Sequence, residues 1–220
     1  MRLRTMALVA LFVFARPVVA DTSSSAPAGP SSGSAGASEP GDTLTTEGQP
    51  LTLEAQLNAA IVWLLTNGLP EHDIGPCPNC KMARDAEARR ELCAAIAESS
   101  GLLKADPWLM LAIAFREGSF TGHQVGDIGE RSTFQIVADA VEWLHRKGYT
   151  ACTLETLEGS AICAAALLTE HEQRCGSQRG ALLYYATGRT CDADTKHLTW
   201  LAWDRTGIAR KLEARFAPQG

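Results

Sequence analysis

Glu117 stands at the C-terminal end of an apolar run, Leu109-Met-Leu-Ala-Ile-Ala-Phe115, and Gly118 follows it directly. A carboxyl group in apolar surroundings favours its neutral form, and the negative end of a helix dipole works in the same direction. An acid that keeps its proton near neutral pH can deliver it to a leaving oxygen, the step that opens a glycosidic bond. Beyond it lies a glycine-rich stretch, Gly126-Asp127-Ile-Gly129-Glu-Arg-Ser132-Thr-Phe134-Gln135-Ile136, which reads as a tight polar hairpin facing the acid. Asp127 is the candidate second carboxylate, because an inverting hydrolase needs one about 6.5–9.5 Å from its acid to activate water. It reads equally as a turn residue, since Asp beside Gly hydrogen-bonds its own backbone. Glu130 is the weaker competitor and reads as an exposed hairpin charge. An isolated Glu117 would read as a solvated carboxylate at a helix terminus; the neighbouring hairpin is what points to chemistry.

The elements that must position these groups are helical. Leu53, Leu57, Ile61, Leu64 and Leu65 recur at helical spacing before Asn67-Gly68, a first helix with its stop. Residues 85–99 form a second, with Ala88, Leu92, Ala95 and Ile96 on one face and a stop before Gly101. Asp106 caps the third, the helix that ends at Glu117, with Pro107 at its first position where a missing N–H costs nothing. Residues 137–147 make a fourth, closed by Gly148. Residues 160–172 are apolar nearly all round, the mark of a central buried helix. Residues 180–185 and 199–216 complete the plan, and strand-and-turn character is confined to residues 122–135. The expected fold is therefore mainly α with a small β-hairpin beside a cleft.

In this order and spacing the chain resembles the lysozyme-like superfamily, in particular the catalytic domain of soluble lytic transglycosylases and goose-type lysozymes. Four pieces carry the resemblance: the apolar helix ending in Glu117-Gly118-Ser119-Phe120; the hairpin ending in Gln135-Ile136; the alanine-rich helix over residues 160–168; and Leu182-Leu-Tyr184-Tyr185-Ala186-Thr-Gly188, similar to the Tyr-Asn-x-Gly segment that lines the family's cleft. They cover about residues 109–188. The resemblance implies that Glu117 acts first as general acid and then as base. It also implies that Gln135 and Tyr185 hold the acid and the sugar, with Ser132, Phe134 and Tyr184 completing the substrate-binding set. The implied substrate is the glycan strand of peptidoglycan. In the family's transglycosylases the sugar's own 6-hydroxyl attacks and no second carboxylate is required, so hydrolysis and transglycosylation both stay open. Three positions depart from the family pattern: Gly118 replaces the Ser after the acid, Ser132 replaces a hairpin Gly, and Ala186 replaces the Asn after the cleft Tyr. The changes at Ser132 and Ala186 keep open a domain that binds glycan without cutting it.

Composition bounds the rest. Of 220 residues the first twenty carry Arg2 and Arg4, then an apolar run and Pro17-Val-Val-Ala20, the zones of a secretory signal. Residues 21–50 are Ser, Gly, Ala, Pro and Thr with almost no large apolar side chain, a flexible linker. Residues 51–220 then form one catalytic domain, secreted or periplasmic. The formal net charge of −5 comes from interspersed acids and bases, with no basic stripe for nucleic acid and no signal for stable membrane insertion. A neutral or zwitterionic polymer fits better, and a secretion-system or inhibitor partner stays open.

No motif calls for a cofactor. Cys77-Pro-Asn-Cys80, with His72 and Cys93 nearby, raises zinc, but an exported chain favours disulfides. Seven cysteines leave one over; proximity pairs Cys152 with Cys163 and Cys175 with Cys191, and the trio Cys77, Cys80 and Cys93 then holds one bridge and the spare thiol. The five tryptophans, Trp63, Trp108, Trp143, Trp200 and Trp203, read as core packing.

Overall fold

The computed structural model describes residues 51–118, 120, 129–192 and 196–218. The expected signal and linker over 1–50, and Asp127 with the first half of the expected hairpin, lie outside the described residues.

Eight α-helices account for the described architecture: α1 (Leu53–Asn67), α2 (Lys81–Arg84), α3 (Ala86–Leu103), α4 (Pro107–Gly118), α5 (Ala138–Arg146), α6 (Leu157–Cys175), α7 (Gln178–Thr187) and α8 (Lys196–Phe216). A single 3-10 turn, Pro70–His72, stands between α1 and α2. Local chemistry sets the boundaries. The Thr52 hydroxyl accepts the Ala55 N–H at the start of α1, and Asp85, Thr156 and Ser177 do the same for α3, α6 and α7. Gly68, Gly176 and Gly188 sit at positive φ where α1, α6 and α7 end. The expected stop at Gly101 is not used: α3 runs on to Leu103 and closes at Lys104 in the left-handed region. A glycine inside a helix costs only about 1 kcal/mol relative to alanine, too little to end one that is packed elsewhere. The short α2 leaves no mark in the sequence, because four residues give no periodicity to read.

The helices pack pairwise around one core. α3 lies against α1 and α6, α6 against α7, and α8 crosses both α4 and α7. On α6, Ala161, Cys163, Ala164, Ala165 and Ala166 are fully buried, as expected of a central helix. α4 is buried continuously from Trp108 to Ala114. Each fully buried large apolar side chain there contributes about 1.5–3 kcal/mol before ordering entropy is subtracted. Among the described residues there is no sheet. The described part of the expected hairpin is a turn over 132–135, closed by one antiparallel bridge between Arg131 and Ile136 with N···O distances of 3.0 and 2.9 Å.

Two disulfides, Cys152–Cys163 and Cys175–Cys191, pair as proximity predicts. The first fastens the loop after α5 to α6; the second fastens the end of α6 to the chain after α7. The N-terminal trio differs from expectation, since Cys77, Cys80 and Cys93 carry free thiols. No helix among the described residues is long and apolar enough to cross a membrane.

Candidate functional site

α4 delivers Glu117 to the surface from the core. Asp106 caps its start, its Oδ1 accepting from Trp108 N at 2.9 Å and Leu109 N at 3.1 Å. At the other end Gly118 touches the 132–135 turn: a Cβ there would lie 2.4 Å from the Thr133 carbonyl oxygen. Any side chain at this position would meet the Thr133 backbone, and the glycine lets the turn close directly over the helix end. Thr133 adds a hydroxyl contact to Ala114 O at 3.4 Å, and Phe120 N donates to the same carbonyl at 3.1 Å. Glu117 is thus seated between a buried helix and a buried turn, with its side chain 23% exposed.

The electrostatics are set by two consecutive residues on each of two helices. Arg116 and Glu117 on α4 meet Asp204 and Arg205 on α8, with the charge order reversed, so that both cross-helix pairs are attractive. Arg205 donates from Nε to Glu117 Oε1 at 3.0 Å and from Nη2 to the same oxygen. Its Nη1 donates to Leu201 O, which fixes the guanidinium on its own helix. Asp204 is fully buried and accepts from Arg116 Nε at 2.6 Å and Nη2 at 2.7 Å. His72 Nδ1 lies 2.9 Å from Asp204 Oδ1, and Arg116 Nη2 also donates to His72 O at 2.5 Å. A buried carboxylate without partners would be prohibitive; three charge-assisted contacts make this one tolerable. Gly207 completes the arrangement, because a Cβ there would fall 2.5 Å from His72 Cε1.

Tyr185 joins the site from α7. Its hydroxyl donates to Phe134 O at 2.8 Å, tying α7 to the turn. Burial, reinforced by the Glu117 carboxylate, holds its phenol well above the ordinary range, so it stays a proton donor. Ser132 and Gln135 shape the turn backbone: both have positive φ, 70° and 49°. Ser132 therefore adopts the left-handed conformation that favours glycine. Its hydroxyl accepts from Phe134 N at 3.2 Å, and Gln135 Nε2 donates to Ser132 O at 2.8 Å.

The structure brings Glu117, Ser132, Phe134, Gln135 and Tyr185 into one neighbourhood, with Phe134 contributing its carbonyl while its ring is buried. Tyr184 does not join them. It points the other way, its ring 4.6 Å from the His171 ring and under the Arg174 guanidinium at 4.5 Å. Asp127 falls outside the described residues. Sequence reasoning misses Arg205, Arg116, Asp204 and His72. A signal is present for Arg205: with Leu201, Ile208 and Leu212 it occupies one helical stripe, and a charge on an otherwise apolar stripe calls for a partner. Trp200 and Trp203 overturn the core reading, being 42% and 55% exposed. Trp203 stacks on His72 with centroids 5.1 Å apart, and Arg116 lies over Trp200.

Among the described residues no group of three or more His, Cys, Asp or Glu side chains converges to hold a metal ion. His72, the imidazole nearest Cys77 and Cys80 in sequence, is committed to Asp204. Comparison with protein-family models, characterised proteins and solved structures finds no match for this chain.

Proposed function

We propose that this protein is a secreted or periplasmic glycosidase that cuts the β-1,4 bond between MurNAc and GlcNAc in peptidoglycan, with Glu117 as general acid and then base. The observation that carries this reading is the seating of Glu117. It is a partly exposed carboxyl at the end of a buried helix, over a strained polar turn and beside the Tyr185 phenol. Arg205 donates to Oε1, and in this reading Oε2 is the oxygen assigned to proton transfer with the glycosidic oxygen. After bond cleavage the same carboxylate would take a proton from water or from the sugar's 6-hydroxyl, giving hydrolysis or an anhydro ring respectively.

A second reading, a catalytically silent module that binds cell-wall glycan, draws on the same ion pair. A carboxylate gripped twice by a guanidinium serves as an anchor between α4 and α8 as readily as it serves as an acid. Sedimentation with insoluble peptidoglycan separates the two. An enzyme loses soluble product release on Glu117→Gln while the variant still sediments with the wall. A module sediments as wild type and never releases product. Failure of both proteins to sediment or to release product overturns both readings.

A further inference from the structure

We infer that Cys77 and Cys80, free thiols in this structure, close into a third disulfide across the Pro78-Asn79 turn on oxidation, and that Cys93 is the chain's permanent free thiol. The geometry of the loop points to this pair. Cys80 N donates to Cys77 O at 3.3 Å and Cys80 Sγ approaches the same carbonyl at 2.8 Å, so the chain already folds back on itself between the two cysteines. Cys77 N is anchored in turn to Leu65 O at the end of α1, at 2.6 Å. Cys77 is exposed and Cys80 half-buried, so an oxidant in solution reaches the first and the second lies behind it.

Cys93 is different in kind. It is fully buried on the inner face of α3 among the core side chains. Burial pushes its thiol up to about 12, so it supplies almost no thiolate for exchange. The pair is not built as a reactive redox centre either: the hydrogen bond between the two thiols, and then burial, raise Cys77 above its ordinary value, whereas attacking cysteines are held low. A closed structural bridge fits this chemistry better than a cycling one. Among the described residues zinc finds no further ligands here, since Cys93 lies in the core and His72 bonds Asp204.

The step balances with a small-molecule disulfide such as oxidised glutathione as co-reactant. The Cys77 thiolate attacks one sulfur of that disulfide and expels a thiolate, forming a mixed disulfide. The Cys80 thiolate then attacks the Cys77 sulfur and expels the second. Two protein thiols are oxidised, one small disulfide is reduced to two thiols, and the two protons leave the protein thiols for those products. Six cysteines are then paired and the seventh is sequestered, so the odd count leaves no exposed thiol for cross-linking.

The test is a thiol map. The purified full chain is equilibrated with oxidised glutathione, quenched, unfolded, alkylated with a maleimide and analysed by peptide mass. Expected is one alkylated cysteine, Cys93, and a peptide spanning residues 77–80 that is unlabelled and two hydrogens lighter than after reduction. A chain isolated already in that state supports the same conclusion. Cys77→Ser should stop at Cys80 linked to glutathione. Persistent alkylation of Cys77 and Cys80, or any disulfide that includes Cys93, overturns the inference.

Discussion

Arg205 reaches from α8 to Glu117 on α4 and places two guanidinium donors on a single carboxylate oxygen, one of them at 3.0 Å. The grip fixes Oε1 against the guanidinium. It makes Arg205 a positioning residue in the proposed reaction, acting through Glu117. Lysine at this position keeps the charge but loses the planar fork. Arg205→Lys is expected to lower kcat roughly ten- to hundredfold with little change in KM, because misplacement of an acid by about 1 Å acts on the chemical step. Steady-state rates on peptidoglycan fragments give the split; a raised KM with unchanged kcat would assign Arg205 to substrate binding instead.

The second cross-helix pair serves the fold. Asp204 is fully buried and holds Arg116 and His72. Asp204→Ala leaves Arg116 without its counter-ion and should cost about 3–5 kcal/mol. The double variant Asp204→Ala, Arg116→Met should cost clearly less than the sum of the two single changes, since neither charge is then stranded. Denaturant unfolding of the four proteins measures this, and strict additivity would mean the pair is not coupled.

The helical plan is legible in the sequence because helices announce themselves through periodic apolar residues and caps. The Asp106 cap and the nearly all-round apolar character of residues 160–172 are both there to read. The two disulfides are legible because short separations leave few partners. The half of the site carried by α8 is not: Arg205 and Asp204 lie 88 residues from Glu117 and Arg116, and only folding brings them together. The exposed tryptophans escape for the same reason. Nothing in residues 200–203 tells which face of α8 meets α4.

Two glycines should respond oppositely to the same substitution. Gly101 lies inside α3 with open space where a Cβ would go, so Gly101→Ala should stabilise by about 0.5–1 kcal/mol. A Cβ at Gly118 would lie 2.4 Å from the Thr133 carbonyl oxygen, so Gly118→Ala must move the turn and should destabilise by about 1–3 kcal/mol. Thermal unfolding of both variants decides it; equal effects would show that the turn does not press on the end of α4.

His171 makes stability depend on pH. Its ring is buried against Trp143 and Tyr184, and burial, then the nearby Arg174 cation, hold it down to about 4 from an ordinary 6.5, against a smaller opposing pull from Glu170. The unfolded chain binds a proton as pH falls below 6.5, whereas the folded chain does not until about 4. Stability is therefore fully present above 6.5, falls between 6.5 and 4, and levels off below. Across that window the loss from this group is about 2–3 kcal/mol. His171→Leu should flatten that part of the pH dependence by a similar amount; an unchanged slope in urea unfolding would place the proton elsewhere.

The most direct measurement is mass spectrometry of the soluble products released from peptidoglycan by the purified protein, with its disulfides formed, beside its Glu117→Gln variant. Expected is muropeptide release by the wild type and at least roughly a hundredfold less from the variant, the scale of a lost general acid. Anhydro ends would identify transglycosylation, and reducing ends hydrolysis. Equal release by both proteins, or none by the wild type from peptidoglycan that a control enzyme digests, would contradict the assignment of Glu117 as the acid.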